Sequence, residues 1–237
     1  MAEIREPIIS FAHADISNGG MTVIHDLNLD IRPGEFLYLL GKVGSGKTSI
    51  IKTIIADNPV NKGRATVLGF DLRKISQKEI PMLRRKMGVV FQDFQLLMDR
   101  NVEENLLFVL EATGWKDRRK KERRIAEVLD AVGMSSKMHK MPHQLSGGEQ
   151  QRICIARAIL NNPEIILADE PTANLDSETA NGIMLLLRKL NEDLDTAVLL
   201  VTHNRYLCDD FPAKMMICEN ESCHELESSR EIDFEIL

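Results

Sequence analysis

Residues 36–48 read Phe-Leu-Tyr-Leu-Leu-Gly-Lys-Val-Gly-Ser-Gly-Lys-Thr, and this stretch decides the fold. Its first five residues are an unbroken apolar run, the mark of a strand buried on both faces. The next eight, Gly41, Lys42, Val43, Gly44, Ser45, Gly46, Lys47 and Thr48, satisfy the pattern G-x-x-x-x-G-K-[ST]. Thr48–Ala56 then predicts a helix. Strand, glycine loop and helix in that order make a phosphate cradle. The glycines let backbone N–H groups converge on phosphate oxygens, and the helix N-terminus adds its dipole. Lys47 is placed to bind the β- and γ-phosphates of a nucleotide, and Thr48 to offer its hydroxyl to Mg²⁺.

Upstream, Ile8–Ala12 and Met21–Ile31 alternate or run apolar on either side of Asn18-Gly19-Gly20, which reads as a hairpin turn. Downstream, Gly63–Leu68 and Met87–Phe91 are further strands. From about residue 93 to 141 the pattern turns helical, with Ile125, Val128, Leu129 and Val132 on one helix face. Helix Glu149–Leu160, strand Ile165–Ala168, helix Ser177–Asn191 and strand Ala197–Thr202 follow. Strands alternating with helices predict an α/β fold around a mixed, mainly parallel sheet. The N-terminal hairpin forms an antiparallel β part, and an α-helical subdomain at about 93–160 is inserted in the core. Residues 1–218 make up this domain. Residues 219–237 are acidic and read as a C-terminal extension holding at most one short element.

The bulk numbers restrict the function. Hydrophobic residues make up 43% of the 237, enough for one well-packed domain. The net charge of −6 argues against nucleic acid as the main partner. No apolar run reaches the roughly 18–20 residues of a membrane helix, and the opening Met-Ala-Glu-Ile-Arg-Glu lacks a signal-peptide layout. The expected location is cytoplasmic, unless a partner holds the chain at the membrane. Cys154, Cys208, Cys218 and Cys223 form no CxxC pair or zinc-like grouping, and are expected to be reduced thiols.

Three further groups carry chemistry. Ile165–Ala168 ends in Asp169 and Glu170, where parallel strands present groups to a ligand. Asp169 there can hold a magnesium shell and Glu170 can polarise an attacking water. Gln92 and His203 also follow strands, which brings them to the same sheet edge. Leu145-Ser146-Gly147-Gly148-Glu149 opens a helix, with Ser146 as N-cap and Glu149 closing a capping box. Two glycines beside that cap expose N–H groups as a second anion site. Two phosphate-binding features but a single phosphate loop point to a chain that works as a pair.

The motifs in this order resemble the ABC ATPase family over nearly the whole chain. GKVGSGKT is similar to its Walker A, FQD to its Q-loop, LSGGEQQ to its signature, ILADE to its Walker B, Asn174–Asp176 to its D-loop, and His203 to its switch histidine. The resemblance implies an ATP- and Mg²⁺-dependent ATPase whose homodimer sandwiches two nucleotides. Ser146, Gly147, Gly148 and Glu149 would then face the other subunit's γ-phosphate. Glu170 would be the catalytic base, His203 would steady the γ-phosphate, and Gln92 would join Thr48 and Asp169 at the metal. Within the family, Pro81–Arg85, Val90–Val102 and Leu167–Asp176 resemble the bacterial cell-division ATPases of the FtsE type. These work with a membrane permease-like subunit, FtsX, and are tied to cell-wall hydrolysis. Lipoprotein-release and MacB-type exporter subunits share most of these motifs.

The family places an aromatic on the N-terminal strand to stack on adenine, and here Ser17 stands near that place. Either base stacking is weaker or Ile16 packs the adenine instead, and looser discrimination between ATP and GTP is expected. Lys116–Arg124 is densely basic, either a solvated helix face or a contact for an anionic membrane surface. Phe94, Leu96, Leu97 and Met98 read either as core or as a groove for a partner's cytoplasmic helix.

Overall fold

The computed structural model describes residues 5–226. Strands β1 (Ile9–Asn18) and β2 (Met21–Ile31) form the expected hairpin. Gly19 and Gly20, at φ 58° and 86°, supply the two positive φ values of a type I′ turn, whose twist matches the strands it joins. With β4 (Arg64–Val67) and β5 (Phe70–Asp71) they make an antiparallel sheet in the order β2-β1-β4-β5.

The second sheet has six strands. They are β3 (Phe36–Leu40), β6 (Met87–Val90), β7 (Ile165–Asp169), β8 (Ala197–Thr202), β9 (Lys214–Glu219) and β10 (Ser222–Leu226), in the order β10-β9-β3-β8-β7-β6. All neighbours are parallel except β10 on β9. The apolar run at 36–40 now has its physical reason. Phe36, Tyr38 and Leu40 pack into the core on one face of the sheet, while Leu37 and Leu39 pack into the core on the other. Helix α1 (Lys47–Ile54) and the antiparallel sheet cover the second face.

Neighbouring strands β6 and β7 are separated in sequence by α3 (Val102–Ala112), α4 (Arg118–Ala131) and α5 (Gly147–Ile159). Their apolar stripes, Leu106 and Leu110, Ile125 and Leu129, and Ile153 and Ala156, converge on the first core. Helix α6 (Ser177–Leu194) joins β7 to β8 and runs a turn longer than its periodicity indicates. The short helices α2 (Ile80–Arg85) and α7 (Arg205–Asp210) fall below the length at which periodicity is readable.

Two expectations change at the C-terminal edge. The acidic stretch from 219 is not all extension, because β10 completes the sheet through Leu226; residues 227–237 lie outside the described ones. Cys218 and Cys223 are joined in a disulfide, not reduced. Asn220 and Glu221, both at positive φ, turn the chain tightly enough to set Cys218 directly opposite Cys223 in the hairpin. Cys154 and Cys208 are free and buried.

The basic run divides by partner. Arg124 donates to the carbonyls of Ile159 and Leu160 at 2.7 and 2.9 Å, capping the end of α5. Lys121, barely exposed, pairs with Glu111 at 2.8 Å. Arg118 and Arg123 pair along the helix with Glu122 and Glu127, exposed contacts that solvent screens to little net stabilisation. Much of the run therefore serves α4 itself and its packing. Among the described residues no helix is long and apolar enough to cross a membrane.

Candidate active site

The C-terminal ends of β3, β8, β7 and β6 lie side by side and each delivers part of one site. β3 leads into the glycine loop, β6 into Gln92, β7 into Asp169 and Glu170, and β8 into His203. Lys47, Thr48, Gln92, Asp169, Glu170 and His203 line a single cleft of about 330 Å³. The sheet order brings together six residues that span more than 150 positions of sequence.

The loop is shaped for an anion. Gly46, the N-cap of α1, sits at φ 95° and brings no side chain to the helix's first N–H groups, so they are left for a ligand. A Cβ there would meet the Ile24 side chain at 2.9 Å, so the close approach requires glycine. Lys47 is buried and its ammonium donates to the carbonyls of Gly41 and Lys42 at 2.5 and 2.6 Å. Burial lowers its pKa, against the pull of Glu170 and Asp169. The Ser45 hydroxyl is buried without a hydrogen-bond partner. An orphaned hydroxyl and a desolvated ammonium, both beside uncapped N–H groups, fit a bound phosphate chain.

Thr48 donates its hydroxyl to Asp169 Oδ2 at 2.9 Å. Burial raises the Asp169 carboxyl, while the Thr48 bond works the other way. A cation beside these two oxygens would relieve the cost of that buried carboxylate. Among the described residues no group of three His, Cys, Asp or Glu is placed to hold a metal. The donor set fits Mg²⁺, which takes one or two protein carboxylates and fills its shell with phosphate oxygens and water.

Glu170 occupies a left-handed backbone at φ 50°, a conformation that costs a non-glycine residue about 1–2 kcal/mol. Its N–H donates to the Val201 carbonyl at 3.0 Å, which fixes the turn. Its side chain, nearly buried, reaches His203 Nδ1 at 2.8 Å.

Ser146, Gly147, Gly148 and Glu149 are not in this cleft. They stand at the start of α5, where Ser146 Oγ accepts from Glu149 N at 3.3 Å and Glu149 Oε2 accepts from Ser146 N at 2.9 Å. Lys137 takes the other Glu149 oxygen at 2.8 Å. That contact, together with the Ser146 bonds, holds the Glu149 carboxyl below its usual range. The carboxylate is thus committed to the cap, and Ser146 is exposed at this end beside the half-buried Gly147 and Gly148.

Asn18 and Val23 form the remaining wall beside the loop. Ser17 is buried, and Ile16 is wholly enclosed in the core beneath the hairpin, so Ile16 does not reach the cleft. Asn18, exposed at the end of β1, lines the cleft instead. Two contributors had no sequence signal. Asn105 is a buried polar residue on α3, and Arg157 is one arginine among several on helical faces.

The family model for ABC transporters matches residues 24–173. The chain is 41% identical over 218 residues to the cell division ATP-binding protein FtsE of Streptococcus pneumoniae, covering 92% of this chain and 94% of that protein. It is 37% identical over 214 residues to the methionine import ATP-binding protein MetN 2 of Salmonella choleraesuis, covering 88% of this chain and 62% of that one. A dimeric ATP-binding cassette solved in a post-hydrolysis state with ADP and Pi matches with a TM-score of 0.80 at 31% identity, over 93% of this chain and 99% of that one. The cleft, the motif order and these similarities agree: the chain belongs to the ABC transporter family and carries that family's ATPase cassette.

Proposed function

We propose that the protein hydrolyses ATP as the cytoplasmic subunit of a membrane complex of the FtsE–FtsX type, coupling turnover to control of cell-wall hydrolysis during division. The observation that carries the ATPase reading is the convergence of Lys47, Thr48, Gln92, Asp169, Glu170 and His203 on one cleft. The glycine loop and Lys47 bind the β- and γ-phosphates. Thr48, Asp169 and Gln92 would hold Mg²⁺, which when bound would supply charge neutralisation on the phosphate oxygens. Glu170 accepts a proton from water as the water oxygen bonds to the γ-phosphorus. The bond from that phosphorus to the bridging oxygen breaks and ADP leaves. His203 steadies the γ-phosphate and keeps Glu170 aimed at the water.

Ser146, Gly147 and Gly148 stand outside the cleft with their helix N-terminus exposed, which supports a homodimer in which each cassette completes the other's site. The dimeric cassette bound to ADP and Pi is consistent with that arrangement. Similarity to FtsE at 41% identity supports the division role. A transport role is the second reading, favoured by the similarity to a methionine importer subunit. In either case the protein sits peripherally on the inner face of the membrane through its partner.

The test of the complex is purification of Glu170→Gln from gently solubilised bacterial membranes in the presence of ATP, followed by identification of what accompanies it. An FtsX-like protein supports the division reading. An importer, lipoprotein-release or MacB-type permease overturns it in favour of transport, and recovery of no membrane protein removes both.

A further inference from the structure

Two successive residues of the loop after β6, Phe94 and Gln95, hold left-handed backbone at φ 55° and 50°. Neither is of a type that tolerates this region well; inside the loop the Gln95 N–H donates to the Asp93 carbonyl at 2.5 Å, and a second hold comes from outside it. That hold comes from α5. The Arg157 guanidinium donates to the Phe94 carbonyl at 2.8 Å and to the Gln95 carbonyl at 2.6 Å. The Cys154 Sγ donates to the same Phe94 carbonyl at 3.1 Å. Burial pushes that thiol up to about 11, so it stays a protonated donor.

The strained turn begins two residues after Gln92. The helix that holds it begins at Ser146, because α5 is one uninterrupted element of 13 residues from Gly147. Phe94 and Leu175 also flank Gly147, at 4.0 and 3.5 Å from where its Cβ would be. One rigid helix therefore touches the Gln92 loop with its C-terminal half and presents Ser146 at its N-terminal end.

We propose that Arg157 is a positioning residue: by fixing the strained Phe94–Gln95 turn to α5, it sets Gln92 in the cleft and ties its place to that of Ser146. The proposal rests on the role given to Gln92 above. An arginine suits the task because its planar fork reaches two adjacent carbonyls at once, which a lysine ammonium does less well. Without the fork, the turn relaxes toward right-handed backbone and the carboxamide two residues away loses its aim. The phosphate loop is untouched, so nucleotide binding persists.

The test is steady-state ATP hydrolysis by Arg157→Ala, Arg157→Lys, Gln92→Ala and the Gln92→Ala/Arg157→Ala double variant. Arg157→Ala is expected to lose roughly 10- to 100-fold in kcat, the scale of a small misplacement, with KM within about twofold. Arg157→Lys falls between it and the parent. The double variant is expected to be no slower than Gln92→Ala alone, because Arg157 acts through Gln92. Gln95→Gly, which accepts positive φ without strain, is expected to recover part of the activity lost in Arg157→Ala. Losses that multiply in the double variant, or full kcat in Arg157→Ala, overturn the clamp. Full kcat in Gln92→Ala instead removes the reading on which the clamp rests. Should Arg157→Ala fail to fold, Arg157→Lys with and without Gln95→Gly carries the test, and no difference between those two overturns the proposal.

Discussion

His203 Nδ1 lies 2.8 Å from Glu170 Oε1, across the gap between the ends of two neighbouring parallel strands. Since a carboxylate can only accept, the ring donates through Nδ1. The histidine thus holds the carboxylate on which the proposed hydrolytic step depends. His203→Ala is expected to lower kcat by about 100-fold or more while ATP affinity stays within a few fold. Measured binding and turnover of the variant check this, and a variant that turns over at the parental rate would exclude the histidine from the reaction.

Asp169 makes a pH prediction. Its carboxyl is raised by burial, so its folded pKa exceeds its unfolded one. Its stabilising contribution is complete below the unfolded pKa and is lost as pH rises through the folded pKa. At neutral pH the nucleotide-free protein therefore bears the cost of a buried charge. Asp169→Asn, which can still accept from Thr48, should melt at a higher temperature than the parent at pH 7 without nucleotide. That gain should shrink toward pH 4, and the variant should lose hydrolysis. Melting curves across that range, paired with an ATPase assay, decide it.

Ser146→Ala separates two roles. Loss of the N-cap costs about 1 kcal/mol of stability, which a denaturant titration reads directly. Hydrolysis should fall much further than that modest loss accounts for, because in the proposed homodimer the other cassette's site is left incomplete. Activity that falls only in step with stability would confine Ser146 to the cap.

Asn105 ties down the loop ahead of α3. Its Oδ1 accepts from Leu97 N at 2.8 Å, and its Nδ2 donates to the carbonyls of Leu97, Arg100 and Asn101 at 3.1, 3.0 and 2.9 Å. Asn105→Ala leaves these groups unsatisfied beneath the surface and should destabilise the protein by about 2–3 kcal/mol. Chemical denaturation checks the value, and a loss below about 0.5 kcal/mol, the scale of an ordinary surface change, would contradict it.

That loop presents Met98 at 56% exposure, and its Arg100 guanidinium lies 5.0 Å from the ring of Phe108, itself 46% exposed. Leu96, by contrast, is buried in the core. Met98→Glu should leave the fold within about 0.5 kcal/mol of the parent, as exposed sites do, and should weaken capture of the proposed membrane partner if this loop docks it. Undiminished capture would take Met98 out of the docking surface.

The residues of the cleft were legible because each follows a strand whose apolar run is short, continuous and closed by a polar residue. Val198–Val201 ends in Thr202 and His203, and Ile165–Ala168 ends in Asp169 and Glu170. The hairpin was legible from its two glycines. β9 was not, because Met215–Cys218 is a brief apolar run set against an acidic tail, and only its pairing with β3 makes it a strand. The disulfide depends on the same hidden register. Arg157 and Asn105 escaped for a different reason. Their partners are main-chain carbonyls 62 and 63 residues away in the one case, and of an irregular loop in the other, and main-chain carbonyls leave no mark in a sequence.

In the proposed reaction this cleft hydrolyses ATP with Glu170 as the base. The direct measurement is ATP turnover by the purified protein beside its Glu170→Gln variant, with nucleotide binding followed in parallel. The account predicts phosphate release by the parent and a loss of about 100-fold or more in the variant, which still binds ATP and holds it in a dimer. Turnover by Glu170→Gln at the parental rate would contradict it.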